Sequence, residues 1–92
     1  MKVHLTYQLT SDPLHALPGR IEKDSISAAL ASAYDLRMGK GYHAGTEIRQ
    51  DGTPIYDKKA LADAVYRIYA FVHLDNMTLD EAADRVARED GY

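Results

Sequence analysis

The stretch TEIRQDGTPIY, residues 46–56, decides the fold, because two strand-like segments flank the dipeptide Asp51-Gly52. Asp-Gly suits a two-residue hairpin turn, in which both central residues take positive φ. We therefore predict antiparallel strands over residues 46–50 and 53–56. Pro54 has no amide hydrogen, so the second strand is predicted to be short or to lie at a sheet edge.

A helix is predicted directly after the hairpin, over residues 58–74, with Asp57 as its N-cap. Apolar side chains recur in it at three- and four-residue spacings, which is typical of a helix with one buried face. They are Leu61, Ala64, Val65, Ile68, Phe71 and Val72. We interpret this segment as the core helix, and we expect Tyr66 and Tyr69, which lie beside the apolar stripe, to pack.

The N-terminal part predicts one strand and one helix. Polar and apolar side chains alternate from Lys2 to Thr10, which indicates a strand with one buried face. Residues 11–23 contain two prolines and a glycine, and we interpret them as a surface connection. Asp24 or Ser25 is then predicted to cap a helix that runs to about Met38.

The final helix is predicted over residues 76–91. Thr78 and Glu81 have the spacing of a capping box, in which each side chain binds a backbone amide of the other residue. Gly91 supplies a left-handed stop.

The predicted order of elements is β-α-β-β-α-α within one domain, residues 1–92. Strands and helices that are each apolar on one side are most simply buried against one another. We expect an α+β fold in which a small antiparallel three-stranded sheet packs on the helices.

Composition excludes several functions. The 92 residues are 46% hydrophobic and include no cysteine, so disulfides, thiolate nucleophiles and cysteine-ligated zinc are ruled out. The alternating N-terminus does not resemble a signal peptide, which needs a continuous apolar stretch. We expect a cytoplasmic protein that neither enters a membrane nor carries a cofactor.

The charge is unevenly distributed. Residues 1–74 hold nine Lys/Arg against eight Asp/Glu, a net +1, whereas residues 75–92 hold two against six, a net −4. Glu81 with Arg85, and Asp84 with Arg88, have the spacing of helix-surface ion pairs. The remaining carboxylates predict a negative patch that binds a basic partner surface. The candidate binding carboxylates are Asp75, Asp80, Glu81, Asp84, Glu89 and Asp90.

A second candidate contact site is the glycine-rich segment 39–45, which is predicted to be a loop. Its side chains Lys40, Tyr42 and His43, together with Arg37 and Arg49, could form a basic and aromatic patch. Such a patch could stack a nucleic-acid base or bind a phosphate. The spacing of a phosphate-binding P-loop is missing.

The four histidines, His4, His15, His43 and His73, do not have the spacing of a metal site, so no metal is expected. An acid/base centre formed by His43 and Glu47 is the enzymatic alternative. We favour the interpretation that the protein is not an enzyme.

A short, cysteine-free, acidic, single-domain chain without a catalytic motif resembles the small accessory proteins of bacteriophages, and among these the anti-CRISPR inhibitors. The resemblance covers the size, charge and α+β composition of the whole chain and includes no shared motif. It implies a stoichiometric inhibitor, acting in the bacterial cytoplasm, that occupies a lysine- and arginine-rich nucleic-acid channel of a host defence complex. The alternative is a small RNA- or DNA-contacting module that uses Arg37, Lys40, Tyr42 and Arg49.

Overall fold

The computed structural model describes residues 2–9, 19–39 and 43–92, without the side chains of Leu9 and His43. Within these residues the fold is α+β, with a four-stranded antiparallel sheet and three helices. The elements are β1 (Val3–Leu9), β2 (Gly19–Lys23), α1 (Ile26–Met38), β3 (His43–Gln50), β4 (Thr53–Tyr56), α2 (Lys58–Leu74) and α3 (Leu79–Glu89). Helices α1 and α2 pack on the sheet, and α3 packs on α1 and α2.

The sheet has the strand order β2-β1-β3-β4, so β1 and β3 are central. The prediction of three strands is wrong, because β2 lies inside the predicted connection over residues 11–23. Ile21 is the only strongly apolar residue of β2, and it pairs with Leu5 of β1. A single apolar position cannot show the polar–apolar alternation that indicates a strand, so the sequence does not predict this edge strand. Residues 11–18 lie outside the described residues.

The hairpin prediction is confirmed. Asp51 has φ 50° and Gly52 has φ 84°, so both central residues of the turn take the positive values expected. Strand β4 lies at the sheet edge, which accommodates the missing amide hydrogen of Pro54.

The predicted glycine loop is partly wrong, since β3 already begins at His43 and its first residues pair with the end of β1. Gly45 is placed opposite Tyr7, beside a break in register. A Cβ at Gly45 would lie 2.7 Å from Cδ2 of Leu61 and 3.2 Å from Cδ1 of Leu5. The glycine therefore allows α2 to approach the sheet closely. Residues 40–42 are not among those described.

The predicted helix caps are confirmed. Ser25 caps α1 and Asp57 caps α2, each through a side-chain oxygen that accepts from the backbone amide three residues on. Thr78 and Glu81 form the full capping box of α3. Gly91 has φ 91°, the left-handed conformation expected after a helix C-terminus.

The core lies between the sheet and the helices. Its largest fully buried side chains are Val3, Leu5, Leu30, Ile48, Leu61, Ile68 and Val86. Burial of each such side chain contributes about 1.5–3 kcal/mol. Small residues of α1 and α3, such as Ala33 and Ala83, are also fully buried and bring the helices close together.

Successive side chains of a strand point to opposite faces of the sheet. The face turned away from the helices therefore carries the polar side chains that alternate with the buried ones. His4, Arg20, Glu22, Glu47 and Arg49 occupy this open face. In the part of the chain that the structure describes, no helix is both long enough and apolar enough to cross a lipid bilayer.

Candidate functional site

The six candidate carboxylates of the C-terminal region fall into two groups in the structure. Asp84, Glu89 and Asp90 form ion pairs with arginines. The other three, Asp75, Asp80 and Glu81, form no ion pair with any described residue. The negative patch is therefore smaller than the sequence predicts.

Asp90 is held by two groups from distant parts of the chain. Its Oδ2 accepts hydrogen bonds from the Tyr56 hydroxyl and from Nη2 of Arg67, both at 2.6 Å. Arg67 also contacts Asp63 at 3.1 Å and Glu89 at 3.7 Å. We call Tyr56, Arg67 and Asp90 the C-terminal clasp. It ties β4, α2 and the end of α3 together.

The clasp changes the pKa values of its members. Burial by itself would raise the pKa of Asp90, but the hydrogen bonds from Arg67 and Tyr56 outweigh it and the pKa is lowered. Burial and the hydrogen bond to Asp90 raise the pKa of Tyr56. Arg67 therefore offsets the charge of Asp90, which adds less to the negative patch than the sequence suggests.

On the surface of α3, one of the two expected ion pairs is present. Arg88 pairs with Asp84, as the spacing predicts, and Asp84 also accepts a hydrogen bond from Ser27. The predicted pair of Glu81 with Arg85 is not formed. Glu81 instead accepts from the hydroxyl of Thr78 at 2.9 Å, so its charge has no cationic neighbour among the described residues. Arg85 lies over the Phe71 ring, 5.3 Å from its centroid.

The three unpaired carboxylates lie where α2 ends and α3 begins. Asp75 is the C-cap of α2, and Asp80 and Glu81 are in the first turn of α3. Leu74 directly precedes Asp75 and is 76% exposed. We call Leu74, Asp75, Asp80 and Glu81 the acidic corner.

The acidic corner has a defined backbone. The amides of Asp75 and Met77 both donate to the carbonyl of Phe71, at 3.2 and 3.1 Å, and Asn76 takes φ 55°. The capping box then starts α3. The corner can therefore present its carboxylates without a large loss of backbone entropy on binding.

The predicted basic and aromatic patch does not assemble as expected. Arg37, in the last turn of α1, lines a groove on the helical side of the sheet together with Gly45. Arg49 lies on the open face, where it pairs with Glu47 and donates to the carbonyl of Gly52 at 3.3 Å. The two arginines therefore face different sides of the sheet. Lys40 and Tyr42, and the side chain of His43, lie outside the described residues.

A groove that the sequence analysis missed lies beside Arg37, between α1, the start of β3 and the first half of α2. It has a volume of about 310 Å³ and a mainly apolar lining. Its residues are Ala33, Arg37, Met38, Ala44, Gly45, Leu61, Ala62, Val65 and Tyr66. We call it the α1–α2 groove. Only the packing of distant segments creates it, so no local pattern could have indicated it.

Of the two tyrosines that were expected to pack beside the apolar stripe of α2, Tyr69 lies against the His73 ring, whereas the expectation for Tyr66 is wrong. Tyr66 is 72% exposed and Tyr69 is 41% exposed. Tyr66 stays exposed because the residues of α1 and β3 on its side of α2 are small and leave the α1–α2 groove open there.

The described histidines do not converge. His4 is on the open face, 4.0 Å from Glu22. Nε2 of His73 lies 3.0 Å from the Tyr34 hydroxyl. The ring centroids of His73 and Tyr69 are 4.3 Å apart. The described residues include no cluster of three or more His, Asp or Glu that could hold a metal ion. His15 lies outside the described ranges, so the structure does not bear on its role.

Comparisons of the chain with protein-family models, with curated protein sequences and with solved structures found no match.

Proposed function

We propose that the protein is a non-catalytic inhibitor that binds, through its acidic corner, to the basic nucleic-acid-binding surface of a partner complex. The observation that carries this proposal is a set of three carboxylates, Asp75, Asp80 and Glu81, without a cationic neighbour among the described residues. Asp75 directly follows the exposed Leu74, at a turn where two backbone amides donate to the carbonyl of Phe71.

Charge accounts for the choice of partner. Unpaired carboxylates attract a lysine- and arginine-rich surface and repel phosphate groups within a Debye length of about 8–10 Å. A protein that covers such a surface would therefore compete with nucleic acid for it. The paired carboxylates of α3 add little net charge, so within α3 and the turn before it the attraction comes from the corner.

Leu74 supplies the apolar part of the proposed contact. Full burial of a leucine side chain contributes about 1.5–3 kcal/mol, which is more than an exposed ion pair provides. The carboxylates would then set orientation and association rate, and the leucine would add affinity.

The class of partner follows from the resemblance in size, charge and α+β composition to anti-CRISPR inhibitors. We propose a host defence complex of the CRISPR surveillance type, bound stoichiometrically in the bacterial cytoplasm. The nucleic-acid alternative has less support, because its two described arginines face different sides of the sheet and Arg49 already has a carboxylate partner.

The test compares two triple variants that each remove three negative charges. The first is Asp75→Asn, Asp80→Asn and Glu81→Gln, in which the new glutamine side chain can still complete the capping box. The matched control is Asp24→Asn, Asp35→Asn and Asp51→Asn, at exposed positions away from the corner. Binding to a panel of purified surveillance complexes is measured by biolayer interferometry, and displacement of target DNA by gel shift.

We expect one-to-one binding to at least one complex, loss of its DNA binding, and weaker affinity as salt rises. The corner variant should bind about tenfold more weakly, since three exposed pairs at about 0.5 kcal/mol each are lost. The control should bind like the unchanged protein. The proposal is wrong if no complex binds at low salt, if the corner variant binds normally, or if the protein shifts an oligonucleotide by itself.

A further inference from the structure

The α1–α2 groove is a second surface that the proposed function does not use. Its floor is formed by Ala33, Gly45, Leu61 and Val65, whose side chains are small or apolar. Because Gly45 has no side chain, the floor stays concave where a larger residue would collide with Leu61. The groove is therefore a product of close packing between β3 and α2.

The rim of the groove has the composition of a protein interface. Met38 is 45% exposed and stands at the end of α1, while Tyr66 projects from α2. Arg37 completes the rim. Tyrosine, methionine and arginine are among the residues enriched at protein interfaces.

The volume of the groove, about 310 Å³, is at the lower limit for an enclosed small-molecule site. An open groove of this size better fits side chains of a peptide laid across it.

Three cationic side chains at the groove or within one helical turn of it have no ion pair in the described part of the chain. Arg37, Lys58 and Lys59 form no ion pair with any carboxylate in the described ranges. Lys58 and Lys59 are one helical turn before the groove residues Leu61 and Ala62, on the same side of α2. Positive charges at a helix N-terminus oppose the helix dipole, so these lysines do not stabilise α2.

We propose that the α1–α2 groove binds a short acidic segment of a partner protein, in which a large apolar side chain lies within two residues of an aspartate or glutamate. The apolar side chain enters the groove between Tyr66 and Met38. The carboxylate pairs with Arg37, and further acidic residues face Lys58 and Lys59. This site is independent of the acidic corner, which attracts the opposite charge.

The test selects peptides from a random 12-residue phage library on the immobilised full-length chain and measures the affinity of synthetic copies by fluorescence polarisation. We expect enriched peptides to carry leucine, isoleucine or phenylalanine next to acidic residues. Tyr66→Ala and Arg37→Glu should each weaken binding about tenfold. Tyr66 and Arg37 are exposed, and circular dichroism confirms that each variant is folded before its affinity is compared.

Matched controls separate this proposal from the first. Arg20→Glu reverses an exposed arginine on the open face, and Tyr92→Ala removes an exposed tyrosine from the C-terminus. Both should bind the peptides normally, and so should the triple variant of the acidic corner. Failure of the surveillance-complex experiment leaves these results unaffected.

Three outcomes would overturn the proposal. The library could yield no enriched peptide, or peptides without acidic residues. The enriched peptides could bind Tyr66→Ala as well as the unchanged protein. Finally, sedimentation could show self-association that is lost both in Tyr66→Ala and in the acidic-corner variant, which would make a second copy of the chain the occupant.

Discussion

The two ends of α3 carry similar residues in different surroundings. At its start, Asp80 and Glu81 face solvent without a cationic partner among the described residues, whereas at its end Glu89 and Asp90 contact Arg67 of α2. Net charge along the sequence does not distinguish the two ends. The comparison shows that the number of carboxylates in a segment is a poor measure of its surface charge, because tertiary neighbours decide which of them are neutralised.

The largest effect is expected from breaking the paired end. Asp90→Ala leaves the buried Tyr56 hydroxyl without its acceptor and Arg67 without its closest carboxylate. The free energy of unfolding should fall by about 2 kcal/mol. Asp80→Ala, at the unpaired end, should change it by less than about 0.5 kcal/mol. Urea denaturation of both variants measures the difference, and equal effects would contradict the assignment of roles.

The pH dependence of stability should differ between the two ends. The pKa of Asp90 is lowered in the folded protein, so its contribution is complete above the ordinary carboxyl pKa of about 4 and is lost as pH falls through the folded value. The stability difference between the unchanged protein and Asp90→Asn should therefore shrink in acid. Denaturation between about pH 7 and about pH 2.5 measures it, with Asp80→Asn as the control. If the stability difference between the unchanged protein and Asp90→Asn stays constant as the pH falls, the charge of Asp90 contributes nothing to stability.

The unpaired end depends on its capping box. Thr78→Ala removes the hydroxyl that accepts from the Glu81 amide at 3.2 Å. Thermal unfolding should report a loss of about 1 kcal/mol. Thr53→Ala, the same chemical change at an exposed site of β4, serves as the control. Hydrogen exchange at the amides of the first turn of α3 should accelerate only in Thr78→Ala.

The smallest effect concerns the first turn of α2. Lys59→Glu replaces a positive charge that opposes the helix dipole and should raise the free energy of unfolding by about 0.5 kcal/mol. The same change should weaken binding of acidic peptides to the α1–α2 groove. Asp80→Lys, the reverse change in the first turn of α3, should lower stability by a similar amount. If Lys59→Glu destabilises the protein, Lys59 has a structural role that the ion pairs do not show.

Much of the fold could be predicted because its signals are local. The hairpin at Asp51-Gly52 and the capping box at Thr78 each depend on residues within four positions of one another. Strand β2 was missed, since its evidence is the pairing of Ile21 with Leu5 of β1. The position of Tyr66 was misjudged for a similar reason, because an apolar stripe shows which side of a helix is buried and not how far the neighbouring elements extend.

The candidate site was predictable only in outline. The unpaired state of Asp75 and Asp80 agrees with the sequence analysis, whereas the neutralisation of Asp90 does not. The partners of Asp90 are 34 and 23 residues away in the chain, and nothing in the spacing of Tyr56 or Arg67 indicates either contact.

The sequence by itself determined the helices, their caps, the hairpin and the overall excess of negative charge near the C-terminus. These features depend on side chains and backbone groups that are neighbours along the chain. Only the tertiary structure decided which carboxylates keep their charge exposed, where the fourth strand lies and that a basic-rimmed groove opens beside Arg37. Each of these results from contacts between segments far apart in the sequence, which short-range patterns cannot encode.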